Sequence, residues 1–427
     1  MIMAQSNLSA YGEIIHKYVL PSGLKVILHK KTDYVGKTAS IIIPYGSIHR
    51  AFHTGDDKGT IRTPMGTAHF IEHMIFESDK QDIMASFRTI GASINAYTSS
   101  DQTVYFLNTE NILPAVNKLM DIVFLPEFSD KEVAKEADII ANEITMHDDD
   151  IDNTLHLAMR EAMFYKHPIK DSVLGTKASI KKIDAQILRA IHRSFYHPAR
   201  ATLVVTGDID ENSFMEALRE HQVATKNKKD IFRGTIDYLE NSEVKTPEID
   251  REVDIKNHKI RIGVKLGYSN KMEMSDAKMT EYEYLFLLDN YFGETSLNYH
   301  ILSQKGLIND SFAFDATVSD TYGYLSLVAD TKKPDRLFEQ LKNMLDDISS
   351  YTIDEERFKI LKQKTIGQFI RIFNSVPSAN HFLADHVIAN IDVFDLIDRL
   401  NAMKAAALKQ HLTSFKPSAR VYVHFHD

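Results

Sequence analysis

The chain of 427 residues contains no cysteine. This absence excludes disulfides and thiolate ligands, so any bound metal ion must be held by histidine, aspartate or glutamate. It also fits a reducing compartment, and we therefore expect a cytoplasmic protein.

A basic block and a long hydrophobic run are also missing. The formal net charge is -9, and the lack of any Lys/Arg cluster argues against a nucleic-acid partner. No apolar run approaches the length of a membrane span, and the opening MIMAQSNLSAYGEIIHKY lacks the charged-then-apolar order of a signal peptide. We expect neither nucleic-acid binding nor membrane insertion.

The two halves of the sequence resemble each other. In both YHPARATLVVTGD and FKPSARVYVHFHD, an aromatic-basic-proline turn precedes an apolar strand. Pro198 and Pro417 in these segments are 219 residues apart, and the same offset relates Tyr105 to Tyr324. These similarities indicate a two-fold internal duplication.

The length and the repeat predict two homologous domains. We place them at 1–225 and 251–427, joined by a charged linker rich in structure breakers at 226–250. Hairpin-like alternation recurs in GASINAYTSSDQTVYFLNT, and strands are too frequent for a parallel α/β pattern. We therefore predict the α+β class, each domain being an antiparallel sheet with helices packed on one face.

Three polar residues interrupt the apolar helical segment TAHFIEHMIFES: His69, Glu72 and His73, here called the polar trio. Residues four apart share a helix face, so the two histidines can bind a single ion with Glu72 beside it. The spacing is the inverted zinc-peptidase motif His-x-x-Glu-His. The alternative is a pair of core histidines hydrogen-bonded to Glu72, because buried polar groups are costly unless they are paired or bind a metal.

The second copy of this helix lacks the polar trio. The 219-residue offset places Leu288, Tyr291 and Phe292 at the corresponding positions. The helix therefore does not need the trio for packing, which favours a functional role.

A catalytic zinc ion needs a third protein ligand and an open position for water. The segment FSDKEVAKEADIIANEITMHDDD predicts a second helix, with a capping box at Ser129 and Glu132. Glu136 and Glu143 lie two turns apart along the edge of its apolar stripe, where one can bind the metal and the other can orient a ligand. On periodicity alone, a solvated helix edge is the favoured interpretation.

The order of the motifs resembles the M16 (pitrilysin) family of zinc metallopeptidases, and in particular its small bacterial members with two homologous domains. The segments LPSGLKVIL, MGTAHFIEHMIFES, GASINAYTSSDQTVYFL, LGTKASIKKI and FYHPARATLVVTGDI follow the family's order over nearly the whole chain. The resemblance implies a mitochondrial-processing-peptidase-like fold. It also implies a zinc-dependent endopeptidase that hydrolyses short or unfolded peptides.

The resemblance assigns roles position by position. His69, His73 and Glu143 correspond to the ligands of one zinc ion per chain, and Glu136 corresponds to a glutamate that supports them. Glu72 corresponds to the general base, which accepts a proton from a zinc-bound water.

The segment GASINAYTS resembles the family's edge strand, to which a peptide substrate adds as a further strand. Asn95 and Ala96 are the positions expected to contact the substrate. The alternative is an ordinary hairpin strand that contains one turn-favouring asparagine.

The chain departs from the family pattern in its second domain. Many members carry an Arg and a Tyr there, seven residues apart, which steady the substrate and the developing oxyanion. In HILSQKGLINDSF these positions are Leu302 and Asn309, and neither can do that work.

Three interpretations of this departure stay open. In the first, the chain is the catalytic subunit of a heterodimer, and a homologous partner supplies the Arg and Tyr. In the second, it acts alone or as a homodimer. In the third, it is a zinc-bound binding or assembly subunit with little turnover. The resemblance of GLINDSF to zinc-bearing subunits of bacterial pairs favours the heterodimer.

Overall fold

The computed structural model describes residues 2–8, 12–55, 59–77, 82–225, 230–267 and 272–427. Residues 226–229 of the predicted linker lie outside these ranges. The strands are β1 (Ile2–Leu8), β2 (Glu13–Val19), β3 (Lys25–Lys30), β4 (Lys37–Ile43), β5 (Ala51–Thr54), β6 (Thr60–Arg62), β7 (Ala92–Thr98), β8 (Thr103–Thr109), β9 (Thr202–Gly207), β10 (Phe232–Thr235), β11 (Glu248–Glu252), β12 (His258–Lys265), β13 (Ala313–Val318), β14 (Gly323–Thr331) and β15 (Arg420–His426). The α-helices are α1 (Thr67–Phe76), α2 (Ile83–Arg88), α3 (Ile112–Phe124), α4 (Asp130–Asp148), α5 (Ile151–Met163), α6 (Lys177–Ile180), α7 (Ala185–Phe195), α8 (Glu211–Glu220), α9 (Gln222–Thr225), α10 (Met274–Phe292), α11 (Leu297–Gln304), α12 (Pro334–Asp347), α13 (Glu355–Ile372), α14 (Val376–Ile388) and α15 (Val393–Ala402).

The chain divides into two compact units, each assembled from three segments of sequence. The first unit comprises Met1–Thr145, Ser172–Ile236 and Phe369–Phe394, and the second comprises Met146–Asp171, Asp237–Gln368 and Asp395–Asp427. Each unit thus takes one helix from the other half of the sequence, α14 in the first and α5 in the second. The predicted boundaries, 1–225 and 251–427, delimit the two copies of the duplicated sequence rather than these compact units. They stay a prediction.

The two main sheets have related strand orders. In the first unit the order is β1-β2-β3-β9-β4-β8-β7, and in the second it is β11-β15-β12-β14-β13. The pairs β3/β9 and β11/β15 are parallel, whereas the other pairs within the two sheets are antiparallel. A separate small sheet has the order β10-β5-β6. The predicted α+β class is confirmed, and the last five strands of the first order repeat in the second.

Strand β4 is buried on both faces. Ala39, Ile41 and Ile43 belong to the core that also contains the apolar side chains of α1 and α3. Because side chains alternate along a strand, Ser40 points to the other face, where its hydroxyl donates to Asn380 of α14. Helices α1 and α3 pack on one face of the sheet, as predicted. Helix α14 covers the opposite face of β4 and β9.

Candidate metal centre

Two interlocked glycine turns fix the start of α1. Gly66 precedes the helix with a φ of 86°, and Gly175 has a φ of 76°. A Cβ on Gly66 would lie 2.3 Å from the Leu174 carbonyl oxygen, and one on Gly175 would lie 2.6 Å from the Met65 carbonyl oxygen. Only glycine combines these backbone angles with so close an approach. The two segments, MGTAHF and LGTKAS, are thereby locked together.

Helix α1 buries its apolar side and presents the polar trio on another. Phe70, Ile71 and Met74 are fully buried in the core of the first unit. The rings of His69 and His73 lie 4.5 Å apart, centroid to centroid. The helical spacing of four residues therefore brings the two imidazoles together, as the sequence predicted.

Helix α4 places two glutamates against this pair. The Ser129 amide donates to Glu132 Oε2 at 3.2 Å, and the Glu132 amide donates to Ser129 Oγ at 3.2 Å. This is the predicted capping box, which fixes where α4 begins. Ile140 and Ile144 anchor the helix in the core, so the edge that carries the glutamates faces α1.

Three donor groups converge on one point: His69, His73 and Glu143. Their donor atoms all lie within 4.8 Å of one another. His69 Nε2 lies 3.6 Å from Glu143 Oε1, and His73 Nε2 lies 3.4 Å from Glu143 Oε2. Two ligands on a tetrahedral zinc ion are about 3.3 Å apart when each bond is about 2.0 Å long. The residues present therefore fit a single zinc ion.

Glu136 contacts His73 at Nδ1, the ring nitrogen that does not face Glu143. Its Oε1 lies 2.8 Å from His73 Nδ1, and only 3 % of its side chain is exposed. A proton on Nδ1 shared with this carboxylate leaves the Nε2 lone pair directed toward Glu143. Burial disfavours the His73 imidazolium, but the Glu136 hydrogen bond and the nearby carboxylate charges outweigh it and raise the pKa of His73 above its ordinary value.

Glu72 lies beside the donor group without belonging to it. Its Oε2 accepts a hydrogen bond from Thr98 Oγ1 at 2.7 Å. Burial raises the pKa of the Glu72 carboxyl, although the Thr98 hydrogen bond and the charge of His73 oppose the shift. Sequence reasoning missed Thr98, since the motif GASINAYTS gives no sign of which of its side chains contacts Glu72.

The predicted substrate strand lies at the edge of the seven-stranded sheet. Strand β7 pairs with β8, and no other described strand pairs with it. Asn95 is exposed and Ala96 is partly exposed. The Ala96 amide donates to Asn95 Oδ1 at 2.8 Å. Thr98 ends this strand, so the open edge leads to Glu72.

The two departing positions lie in the second unit. Leu302 is fully buried in α11. The Asn309 side chain donates to the Asp330 carbonyl at 3.1 Å and accepts from the Ser311 amide at 2.8 Å. Leu302 thus serves packing and Asn309 serves a turn.

No helix among the described residues combines the length and the apolar character needed to cross a membrane.

Two family models match the chain. Residues 61–177 match insulinase (peptidase family M16), and residues 182–365 match the peptidase M16 inactive domain. The first match contains the polar trio and both glutamates. The second match contains Leu288, Tyr291 and Phe292 of α10, which occupy the positions that correspond to the polar trio.

Whole-chain relatives agree with these matches. The uncharacterized zinc protease YmfH of Bacillus subtilis is 30% identical over 396 residues, covering 90% of each chain. A crystal structure described as an M16-like peptidase from Alicyclobacillus acidocaldarius superposes with a TM-score of 0.91 at 26% identity over 99% of each chain. Pitrilysin matches in fold alone, with a TM-score of 0.77 at 17% identity over 99% of this chain and 46% of its own. The chain therefore belongs to the M16 peptidase family.

Proposed function

We propose that the chain is a zinc-dependent endopeptidase that hydrolyses short or unfolded peptides. The convergence of His69, His73 and Glu143 beside Glu72 carries the proposal. Relatives named zinc proteases support the metal and the reaction class.

In this proposal each residue of the site has a separate task. His69, His73 and Glu143 would hold one zinc ion, and Glu136 keeps the His73 Nε2 lone pair available. A bound zinc ion supplies Lewis-acid polarisation of a peptide carbonyl and lowers the pKa of water. The open ligand position that this chemistry needs follows from having three protein ligands rather than four.

Glu72 is the proposed general base. Its burial makes the carboxylate a better proton acceptor than an exposed glutamate, and Thr98 fixes the orientation of the carboxylate. It would accept a proton from the attacking water and then deliver one to the leaving amine. The peptide C–N bond breaks as the amine takes up that proton.

Strand β7 is the proposed substrate platform. A peptide that adds to its open edge is held by backbone hydrogen bonds, largely independently of sequence. The Ala96 amide would exchange its contact with Asn95 for a carbonyl of the substrate. This arrangement requires an extended peptide and so favours short or unfolded substrates.

A homologous partner is proposed to complete the site. Leu302 and Asn309 offer no charged or phenolic donor, and both already serve the second unit. A homologous M16-type subunit that supplies an Arg and a Tyr would provide the missing stabilisation of the oxyanion. A homodimer is the alternative partner, and a cytoplasmic location stays a prediction.

The first experiment measures cleavage of a mixed quenched-peptide library by the zinc-loaded chain, alone and together with a homologous subunit. Cleavage only in the mixture supports the heterodimer. Cleavage by the chain alone supports the peptidase but rejects the need for a partner. No cleavage in either sample, with zinc bound, overturns the proposal in favour of a binding or assembly subunit.

Glu72→Gln separates the base from the metal. The variant should retain its zinc and lose activity by roughly 10²–10⁴-fold, because the amide cannot accept a proton. Zinc content and the cleavage rate are measured on the same sample, and Glu77→Gln at the end of α1 serves as the control. Full activity in the zinc-loaded Glu72→Gln variant would reject Glu72 as the base.

A further inference from the structure

The second unit contains a compact group of titratable side chains that the proposed function does not use. It consists of Asp250, His258, His424 and His426, here called the strand-face cluster. Asp250 of β11 pairs directly with His424 of β15, and His424 pairs with Ile260 of β12. His258 lies two residues before Ile260, and His426 lies two residues after His424. Because side chains alternate along strands, all four lie on one sheet face.

The donor atoms of this cluster are at ligand spacing. Those of Asp250, His424 and His426 all lie within 4.8 Å of one another. His424 Nδ1 is 2.8 Å from Asp250 Oδ1, and His426 Nε2 is 3.5 Å from Asp250 Oδ2. Two ligand atoms on one tetrahedral ion are expected to be about 3.3 Å apart. One of the two observed separations is shorter than this distance and the other is longer.

His258 influences which ring nitrogen of His424 carries a proton. Its Nδ1 lies 2.9 Å from His424 Nε2, so one proton is shared between the two rings. When His424 donates that proton, its Nδ1 carries a lone pair that faces the Asp250 carboxylate at 2.8 Å. Two acceptors so close repel each other unless a proton or a metal cation lies between them. A metal ion removes this repulsion, and His258 then fixes the tautomer that binds it.

We propose that Asp250, His424 and His426 bind a divalent first-row transition metal ion, Zn²⁺ being the one to test. Two imidazoles and one carboxylate are ligands that suit zinc. The Asp250 side chain is 70% exposed, which gives an ion access from solvent and leaves room for water ligands. His258 supports the site as the hydrogen-bond partner of His424.

The proposed ion would tie an edge strand to its neighbour. Strand β11 is a five-residue strand at the end of the second sheet, paired with β15. An ion held by Asp250 on one strand and two histidines on the other bridges them directly. A metal that binds the folded chain preferentially also raises its stability.

Zinc titration of the full chain tests this inference independently of peptidase activity. We expect two zinc equivalents for the wild type, and one each for His69→Asn/His73→Asn and for Asp250→Asn/His426→Asn. Calorimetry gives the stoichiometry, and circular dichroism verifies that each variant is folded. His300→Asn, which changes an exposed histidine of α11 outside the cluster, is the matched control and should retain two equivalents.

Single substitutions then test the assignment within the cluster. Asp250→Asn, at an exposed position where folding is at little risk, should weaken zinc binding to the His69→Asn/His73→Asn protein at least tenfold. His258→Asn should weaken it by about 10–100-fold through loss of the supporting hydrogen bond. The inference is overturned if the His69→Asn/His73→Asn protein binds no zinc, or if its zinc binding is unchanged by Asp250→Asn.

Discussion

At the scale of single residues, the candidate metal centre includes a carboxylate that is not one of its three donor groups. Glu136 is almost fully buried, and its described hydrogen bond is to His73 Nδ1. Its position seven residues before Glu143 made both glutamates candidates from the sequence. The spacing alone does not distinguish them, whereas the family resemblance assigned Glu143 as the ligand. In the structure Glu136 contacts His73 Nδ1, and Glu143 lies near the Nε2 atoms of both histidines.

Glu136→Gln should weaken zinc binding by about 10–100-fold without unfolding the chain. The amide can present its NH₂ group to His73 Nδ1, which favours the tautomer with the proton on Nε2 and blocks metal binding there. Zinc titration of the variant measures the effect. Asp138→Asn, an exposed change on the same helix, is the control, and equal affinities in the two variants would contradict the assigned role.

A buried histidine of the second unit predicts acid sensitivity. His167 is 2% exposed, and burial lowers its pKa to about 4. Its Nδ1 accepts from the Ile169 amide, so protonation there removes an acceptor. The unfolded chain binds this proton at about pH 6.5, well above the folded chain. The free energy of unfolding should therefore fall as the pH drops from about 6.5 to about 4.

His167→Asn should flatten this dependence, since asparagine retains a capping acceptor but does not titrate. The contribution of His167 reaches at most about 1.4 kcal/mol per pH unit. Denaturant unfolding at pH 7 and pH 5 measures the difference, with His300→Asn as an exposed control. A variant as acid-sensitive as the wild type would exclude His167 as the cause.

At the scale of elements, β7 connects the proposed substrate platform to Glu72, the proposed base. The strand pairs on one side with β8, and its last residue, Thr98, holds Glu72. The edge position makes the Ala96 amide available to an added strand, since its described acceptor is the adjacent Asn95 side chain. Proline is tolerated on an edge strand where the amide does not serve the ladder.

Ala96→Pro should lower kcat/KM for peptides at least tenfold while leaving the zinc content and the fold intact. The substitution removes one backbone donor to the substrate and no donor to β8. Peptide cleavage and zinc content are measured side by side. Ala96→Gly retains the amide and should behave like the wild type in binding, so equal loss in both variants would contradict strand addition.

Element prediction succeeded where local chemistry decides the outcome. The capping box at Ser129 and Glu132 marked the start of α4, and the apolar positions of α1 marked its buried side. The His69–His73 spacing placed both rings together because helix geometry is the same wherever the helix lies. The second layer on β4 escaped prediction, because α14 begins more than three hundred residues after that strand.

At the scale of the whole molecule, one buried asparagine attaches α14 to the first sheet. Asn380 is fully buried, and its amide group donates to the Thr38 and Val204 carbonyls and to Thr206 Oγ1. Its carbonyl oxygen accepts from Ser40. These partners come from β4 and β9, which are neighbours in the sheet although far apart in the chain.

Asn380→Ala should reduce the free energy of unfolding by about 2–5 kcal/mol, since it leaves buried polar groups without partners. Denaturant unfolding of the zinc-free chain measures the loss. Ser378→Ala, on the exposed side of α14, should change stability by no more than about 1 kcal/mol. Equal stability of the Asn380 and Ser378 variants would show that α14 is held by its apolar contacts alone.

By itself, the sequence determined the absence of thiolate ligands, the duplication, the α+β class and the three residues of the polar trio. These follow from composition, from self-similarity and from periodicities that do not depend on distant contacts. The tertiary structure alone decided that Thr98 contacts Glu72, that α5 belongs to the second unit and that α14 belongs to the first. It also assembled Asp250, His258 and His424 from three strands. The physical reason is that sheets bring together residues from distant parts of the chain, at distances that no local spacing records.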